Sequence, residues 1–225
     1  MPRVLLNNLY ITDEDIFVEA GADFGVLVPK SNKMASGTDG VFLAGDLWTL
    51  NSASNAFATH GVLPGMVIQL TAPKTTYISP EYLAIDSVAA NAVTLRRCGV
   101  TLTGLGMPPG PVGGLTGITF QVLTLNPQIE SAAFYLDQQF DVDEATPYRS
   151  PGNIYNQEVF RRILVLRVVS LLYMAENRSD QGDFARKVME YKSQFAEEYA
   201  KTSVRWGPQG VTQPSSGPGV MRISR

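Results

Sequence analysis

Two periods divide the chain. From about Gly37 to Leu125, apolar and polar residues alternate at a period near two in short runs. Beyond Leu125 the apolar positions recur at three and four, the period of a helix. The first stretch carries the turn-forming groups Gly37-Thr38-Asp39-Gly40, Gly45-Asp46, Pro64-Gly65 and Ala89-Ala90-Asn91. The runs Leu47–Leu50, Met66–Leu70, Tyr82–Val88, Ala92–Arg97 and Ile118–Leu125 lie between them and predict strands. Short strands joined by tight turns predict a small barrel or sandwich. The Gly/Pro-rich segment Gly104–Gly117 breaks helix and strand alike and predicts a long projecting loop.

Helices are expected on both sides of this β module. Thr12 is a suitable N-cap, Asp13, Glu14 and Asp15 place negative charge in the first turn, and Gly21 ends the helix. Gly25–Pro29 reads as a short extended piece. After Leu125, Asn126-Pro127 opens a helix with Ile129, Ala132, Ala133, Leu136 and Phe140 on one face, followed by an acidic connector. A helix from Asn156 to about Glu176 is apolar around most of its circumference, so it should be buried against several neighbours. Another, from about Gln181 to Ser203, carries the narrow seam Phe184, Val188, Tyr191, Phe195 and Tyr199, suited to one partner. The short connection near Asn177–Asp180 makes these two helices antiparallel neighbours. Phe160, Ile163, Leu164, Leu171, Phe184, Val188 and Phe195 are the expected helical core. Gly207–Arg225 has no core-forming pattern, contains Arg222 and Arg225 but no acid, and is expected to order only on a partner.

The fold class expected is therefore α+β: a small helical bundle with an inserted barrel- or sandwich-like β module and a flexible C-terminal arm. Residues 1–36 are assigned to the helical domain, 37–125 to the β module, 126–206 to the bundle and 207–225 to the arm.

Composition narrows the function classes. Charged residues make up 17% of the chain, below the usual quarter, which hints that other protein surfaces cover it. The net charge of −3 is unlike the basic footprint of a protein that grips nucleic acid. No signal peptide is visible, and the most apolar run, Ile163–Met174, is too short and too charged for a membrane span. The lone Cys98 fits a half-buried residue of a reducing cytoplasm. The lone His60 reads as a turn residue without the partners of a metal site. Gly104-Leu105-Gly106 runs into prolines and cannot cradle phosphate. Asp137, Asp141, Asp143 and Glu144 match no cation-binding loop and read as a solvated connector. Arg96-Arg97 and Arg161-Arg162 are expected in salt bridges. No catalytic residue, cofactor or metal is assigned, and an enzyme is not expected.

The helix Gln157–Arg178, ending Leu171-Leu172-Tyr173-Met174-Ala175-Glu176-Asn177-Arg178, together with Pro127–Phe140 and its Ile129-Glu130-Ser131-Ala132-Ala133, resembles the head-to-tail connector (neck adaptor) proteins of tailed bacteriophages. The resemblance covers about residues 126–206. It implies self-association into a ring, commonly a dodecamer, below the portal protein. It also implies contact with the next neck or tail protein, and genomic DNA passing through the lumen without sequence-specific binding. The setting implied is the virion neck, assembled in the host cytoplasm, with no membrane contact. A C-terminal arm that inserts into the portal would here use Arg205, Trp206, Val220, Met221, Arg222, Ile223 and Arg225. The rival reading is a small-barrel nucleic-acid or carbohydrate binding module fused to a helical oligomerisation domain. It would need exposed aromatics on the barrel, and Trp48, Phe57, Tyr77 and Tyr82 are the candidates.

Overall fold

A computed structural model describes residues 11–44, 48–73, 76, 80–99, 114–142, 153–154, 157–176, 182–205 and 207. The chain is α+β and divides into two compact units, one of Thr12–Leu125 and the other of Met1–Ile11 with Asn126–Arg225.

The first unit is built on a closed antiparallel barrel. Its strands are β1 (Lys33–Phe42), β2 (Thr49–Asn51), β3 (Val67–Ala72), β4 (Glu81–Val88), β5 (Ala92–Arg97) and β6 (Ile118–Leu123). They follow the order β1-β2-β5-β4-β3-β6, and β6 pairs back onto β1. Alternation fills the interior: Leu83 and Ile85, Val93 and Leu95, and Ile118, Phe120 and Val122 all point into one buried cluster. Ala89–Asn91 makes the tight β4–β5 turn, with the Ala89 N–H donating to the Ala92 carbonyl at 2.8 Å.

β3 reads as a run of buried residues because both of its faces are covered. Ile68 and Leu70 belong to the interior cluster. Gln69, on the other face, donates from Nε2 to the Tyr82 hydroxyl at 2.6 Å and accepts from Gln121 Nε2. The cover comes from the helical start of the unit, α1 (Asp13–Ala20), a 3-10 turn (Gly21–Asp23) and α2 (Phe24–Leu27). Phe17 and Phe24 pack on the Tyr82 ring with centroids 5.4 and 5.9 Å away.

Three expectations are corrected here. The extended piece expected over Gly25–Pro29 begins only at Val28, since Phe24–Leu27 is one helical turn that buries Phe24 and Leu27. Any side chain at Gly25 would run into the Tyr82 hydroxyl. Gly37-Thr38-Asp39-Gly40 is not a turn but part of β1. A Cβ at Gly37 would lie 2.9 Å from the Phe120 ring, and one at Gly40 would lie 3.0 Å from the Ile118 carbonyl. Those glycines serve close approach of β1 to β6, and the ladder slips between them. The boundary at residue 36 also moves, because α1 and the start of β1 belong to the barrel unit. Residues 12–36 therefore do not join the helical part.

In the second unit the helical expectations hold. α3 (Asn126–Phe140) buries Ile129, Ala132, Ala133, Leu136 and Phe140. It closes where Asp141 turns to φ 57 and the Val142 N–H donates to the Asp137 carbonyl at 2.9 Å. α4 (Gln157–Glu176) is buried around most of its girth, from Phe160 and Ile163 to Leu172 and Tyr173. α5 (Asp183–Lys201) packs against it. Tyr173, late in α4, meets Phe184 and Tyr191, early in α5, at 5.5 Å each. Arg167, mid-α4, lies over Phe195, further along α5, at 5.4 Å. The pair is therefore antiparallel. Among the described residues, no helix is long and apolar enough to cross a membrane.

Candidate functional site

The helices on which the resemblance rests, and the expected helical core, lie in the second unit. α5 is amphipathic. Phe184, Tyr191 and Phe195 meet α4 and Tyr199 meets Phe140 of α3, while the other side carries Asp183, Arg186, Glu190, Glu197 and Lys201. Yet the seam closes incompletely. Val188 is buried, whereas Phe184, Tyr191, Phe195 and Tyr199 remain half-buried. Of the expected helical core, Phe160, Ile163, Leu164 and Val188 are buried, and Leu171, Phe184 and Phe195 keep part of their surface open. Three further large apolar side chains are exposed on these helices: Phe134, Met174 and Met189, the last 71% exposed.

The cation inside this surface is held by rings. The Arg167 guanidinium sits 4.6 Å from the Tyr135 centroid as well as over Phe195. Arginine stacks flat on such faces, and partial burial strengthens the attraction. Arg167 is half-buried, and its Nε is buried without a hydrogen-bond partner among the described residues, so the two rings supply its described contacts.

Of the expected arm, Arg205 is described and exposed. Just beyond it, the Gly207 N–H donates to the Asn153 carbonyl at 2.9 Å. Trp206, Val220, Met221, Arg222, Ile223 and Arg225 lie outside the described residues, as do the loop up to Val112-Gly113, Asp143, Glu144 and the expected cap Asn156.

On the barrel unit the sequence candidates separate. Phe57 is fully buried in the interior, Tyr82 is engaged by Gln69 and the Phe17–Phe24 pair, and Trp48 packs against the core. Tyr77 lies outside the described residues. All three described aromatics take part in packing, with Phe57 fully buried and Trp48 and Tyr82 half-buried. Ladder slips on β1 and β3 flank β6 and open a cleft of about 430 Å³, lined by Lys33, Ser36, Thr38, Thr71, Thr119 and Gln121. Its chemistry is that of hydroxyl groups with one amide and one ammonium.

The titratable groups are scattered. His60 is exposed in a turn, as expected. Cys98 is half-buried, and burial pushes its thiol up to about 12, with the Glu14 carboxylate adding to the shift. Such a thiol is not activated. Asp39 accepts from Ser52 Oγ at 2.9 Å and from the Ser54 N–H at 2.9 Å, which holds its carboxyl below the ordinary range despite an opposing desolvation cost. Among the described residues no group of three or more His, Cys, Asp and Glu is placed to hold a metal ion.

Arg96 and Arg97 do form separate ion pairs. Arg96 makes a two-pronged contact with Glu14 and approaches Asp86 at 3.4 Å, and Arg97 pairs with Glu81. Sequence reasoning missed the other half of this arrangement. Asp13, Glu14 and Asp15 look like helix-dipole charges, but Asp13 and Glu14 have tertiary partners and Asp15 closes a capping box with Thr12. Asp13 accepts from the Leu125 N–H, Glu14 takes Arg96 and the Gly99 N–H at 2.8 Å, and Asp15 accepts from the Thr12 N–H at 2.8 Å. The first two partnerships span more than eighty residues of sequence, so no local pattern reports them.

Comparison with protein-family models, with curated proteins and with solved structures yields no match for this chain.

Proposed function

We propose that this chain is a structural, non-catalytic neck adaptor: a protein that associates with copies of itself into a ring below a phage portal, extends the DNA channel and links the head to the tail or to the next neck protein. The observation that carries the reading is the helical unit's unfinished packing. Half-buried Phe184, Tyr191, Phe195 and Tyr199, with exposed Phe134, Met174 and Met189, supply apolar area that a neighbouring copy would cover. The portal-directed part rests on the resemblance of residues 126–206 and on the basic, acid-free segment 207–225. The nucleic-acid or carbohydrate reading is the weaker one, because the three described barrel aromatics are engaged in packing.

The test is particle imaging and sedimentation of the full chain with and without its cognate portal. Rings seated on the portal are expected, and a chain lacking residues 207–225 should keep its circular dichroism and melting profile but no longer dock. A chain that stays monomeric with portal present sinks the adaptor reading. Undiminished docking without residues 207–225 sinks the role given to the arm.

A further inference from the structure

The barrel unit begins at Thr12 and ends at Leu125, and these two chain crossings are fastened together at one side chain. Asp13 is 1% exposed. Its Oδ1 accepts from the Leu125 N–H at 2.7 Å, and the Thr124 hydroxyl adds a second hydrogen bond to the carboxyl group. Oδ2 is buried with no hydrogen-bond partner. The neighbouring backbone is tied down too, since the Glu14 N–H donates to the Gly65 carbonyl at 3.0 Å.

Among the described residues, no counter-charge is provided. On the same helix, Glu14 is committed to Arg96 and Gly99, and Asp15 to Thr12. Thr124, Leu125 and the Pro64-Gly65 turn bring no charge, and neither does β3, which reads Val-Ile-Gln-Leu-Thr-Ala. A buried carboxylate with one oxygen unpaired and no cation facing it is costly when ionised.

We propose that Asp13 is the pin that holds the first and last residues of the barrel unit together, and that ionisation of its carboxyl group loosens the pin. Neutral Asp13 keeps the Leu125 hydrogen bond inside the unit. Charged Asp13 favours an opening that lets water reach Oδ2, and that opening frees the Leu125 amide. Burial, outweighing the two hydrogen bonds, pushes this carboxyl up to about 7. A carboxyl with a folded value above its ordinary one supports the closed state fully below the ordinary range, and that support is lost as pH rises through about 7. The loosening therefore belongs to neutral and mildly alkaline solution. The inference concerns the barrel unit alone and is independent of the assembly role proposed above.

Amide hydrogen exchange on the full-length chain, corrected for the intrinsic base-catalysed rate, tests it. Between pH 6 and pH 8 the opening at Leu125 should rise about tenfold in the natural protein and less than twofold in Asp13→Asn. Equal pH dependence in the two proteins overturns the proposal. A measurement needing no variant is the ¹³C titration of the Asp13 carboxyl, whose midpoint should fall near 7. A midpoint in the ordinary carboxylate range overturns the proposal as well.

Discussion

The two units of this chain are stabilised by different means. In the barrel unit, backbone ladders run around a closed ring of strands, and polar side chains join residues far apart in sequence: Asp13 to Leu125, Glu14 to Arg96, Asp39 to Ser52. Its interior is sealed, with Phe42, Leu50, Ile68 and Leu83 all fully buried. In the helical unit the work falls to apolar and aromatic contact, and the large side chains of α5 are only half covered. Both units expose some large apolar side chains, Val18, Val26, Leu43 and Leu63 on the first and Phe134, Met174 and Met189 on the second, but only the second leaves an aromatic helix seam half covered.

The most severe way to probe this contrast is Leu164→Asp. Leu164 is fully buried in α4, and an unpaired carboxylate there costs on the order of 4 kcal/mol or more. The helical unit should lose its cooperative melt while the barrel unit keeps its own. A single shared transition lost as a whole would show that the two units do not hold up independently. Glu14→Gln strikes the other unit and should act more mildly. It leaves Arg96, only 19% exposed, without its main partner, at an expected cost of about 1–3 kcal/mol in urea unfolding of the barrel unit. A change within about 0.5 kcal/mol would mean that Asp86 and solvent suffice for Arg96. The smallest effect on folding is expected from Met189→Lys, within about 0.5 kcal/mol at a site already open to solvent. The same variant should weaken self-association in sedimentation. Unaltered association would remove Met189 from the contacting surface.

Much of this architecture is legible from residue order. Alternation marks β3 to β6, and the three-four spacing marks α3, α4 and α5 to within a few residues. What escapes is whatever depends on a distant partner. Gly37 and Gly40 carry a turn-like signature, but their use is to let β6 approach. Gly25 looks extended until the Tyr82 hydroxyl it accommodates, fifty-seven residues on, is in place. Asp13 and Glu14 satisfy a local rule so well that their long-range roles leave no trace. The half-covered seam of α5 was legible as a seam. How far α3 and α4 would cover it was not, since that depends on how three helices fit together.

Closure of the barrel has one more consequence. A sheet that ends in unpaired strands exposes a row of N–H and C=O groups on which another polypeptide can template itself, a common start of runaway aggregation. Here β1 is bonded to both β2 and β6, so the described ladder has no outer strand to offer. Any polypeptide that meets this described ladder finds side chains there, whose shape and charge discriminate between neighbours. Many copies crowded together would be kept from fusing through their backbones.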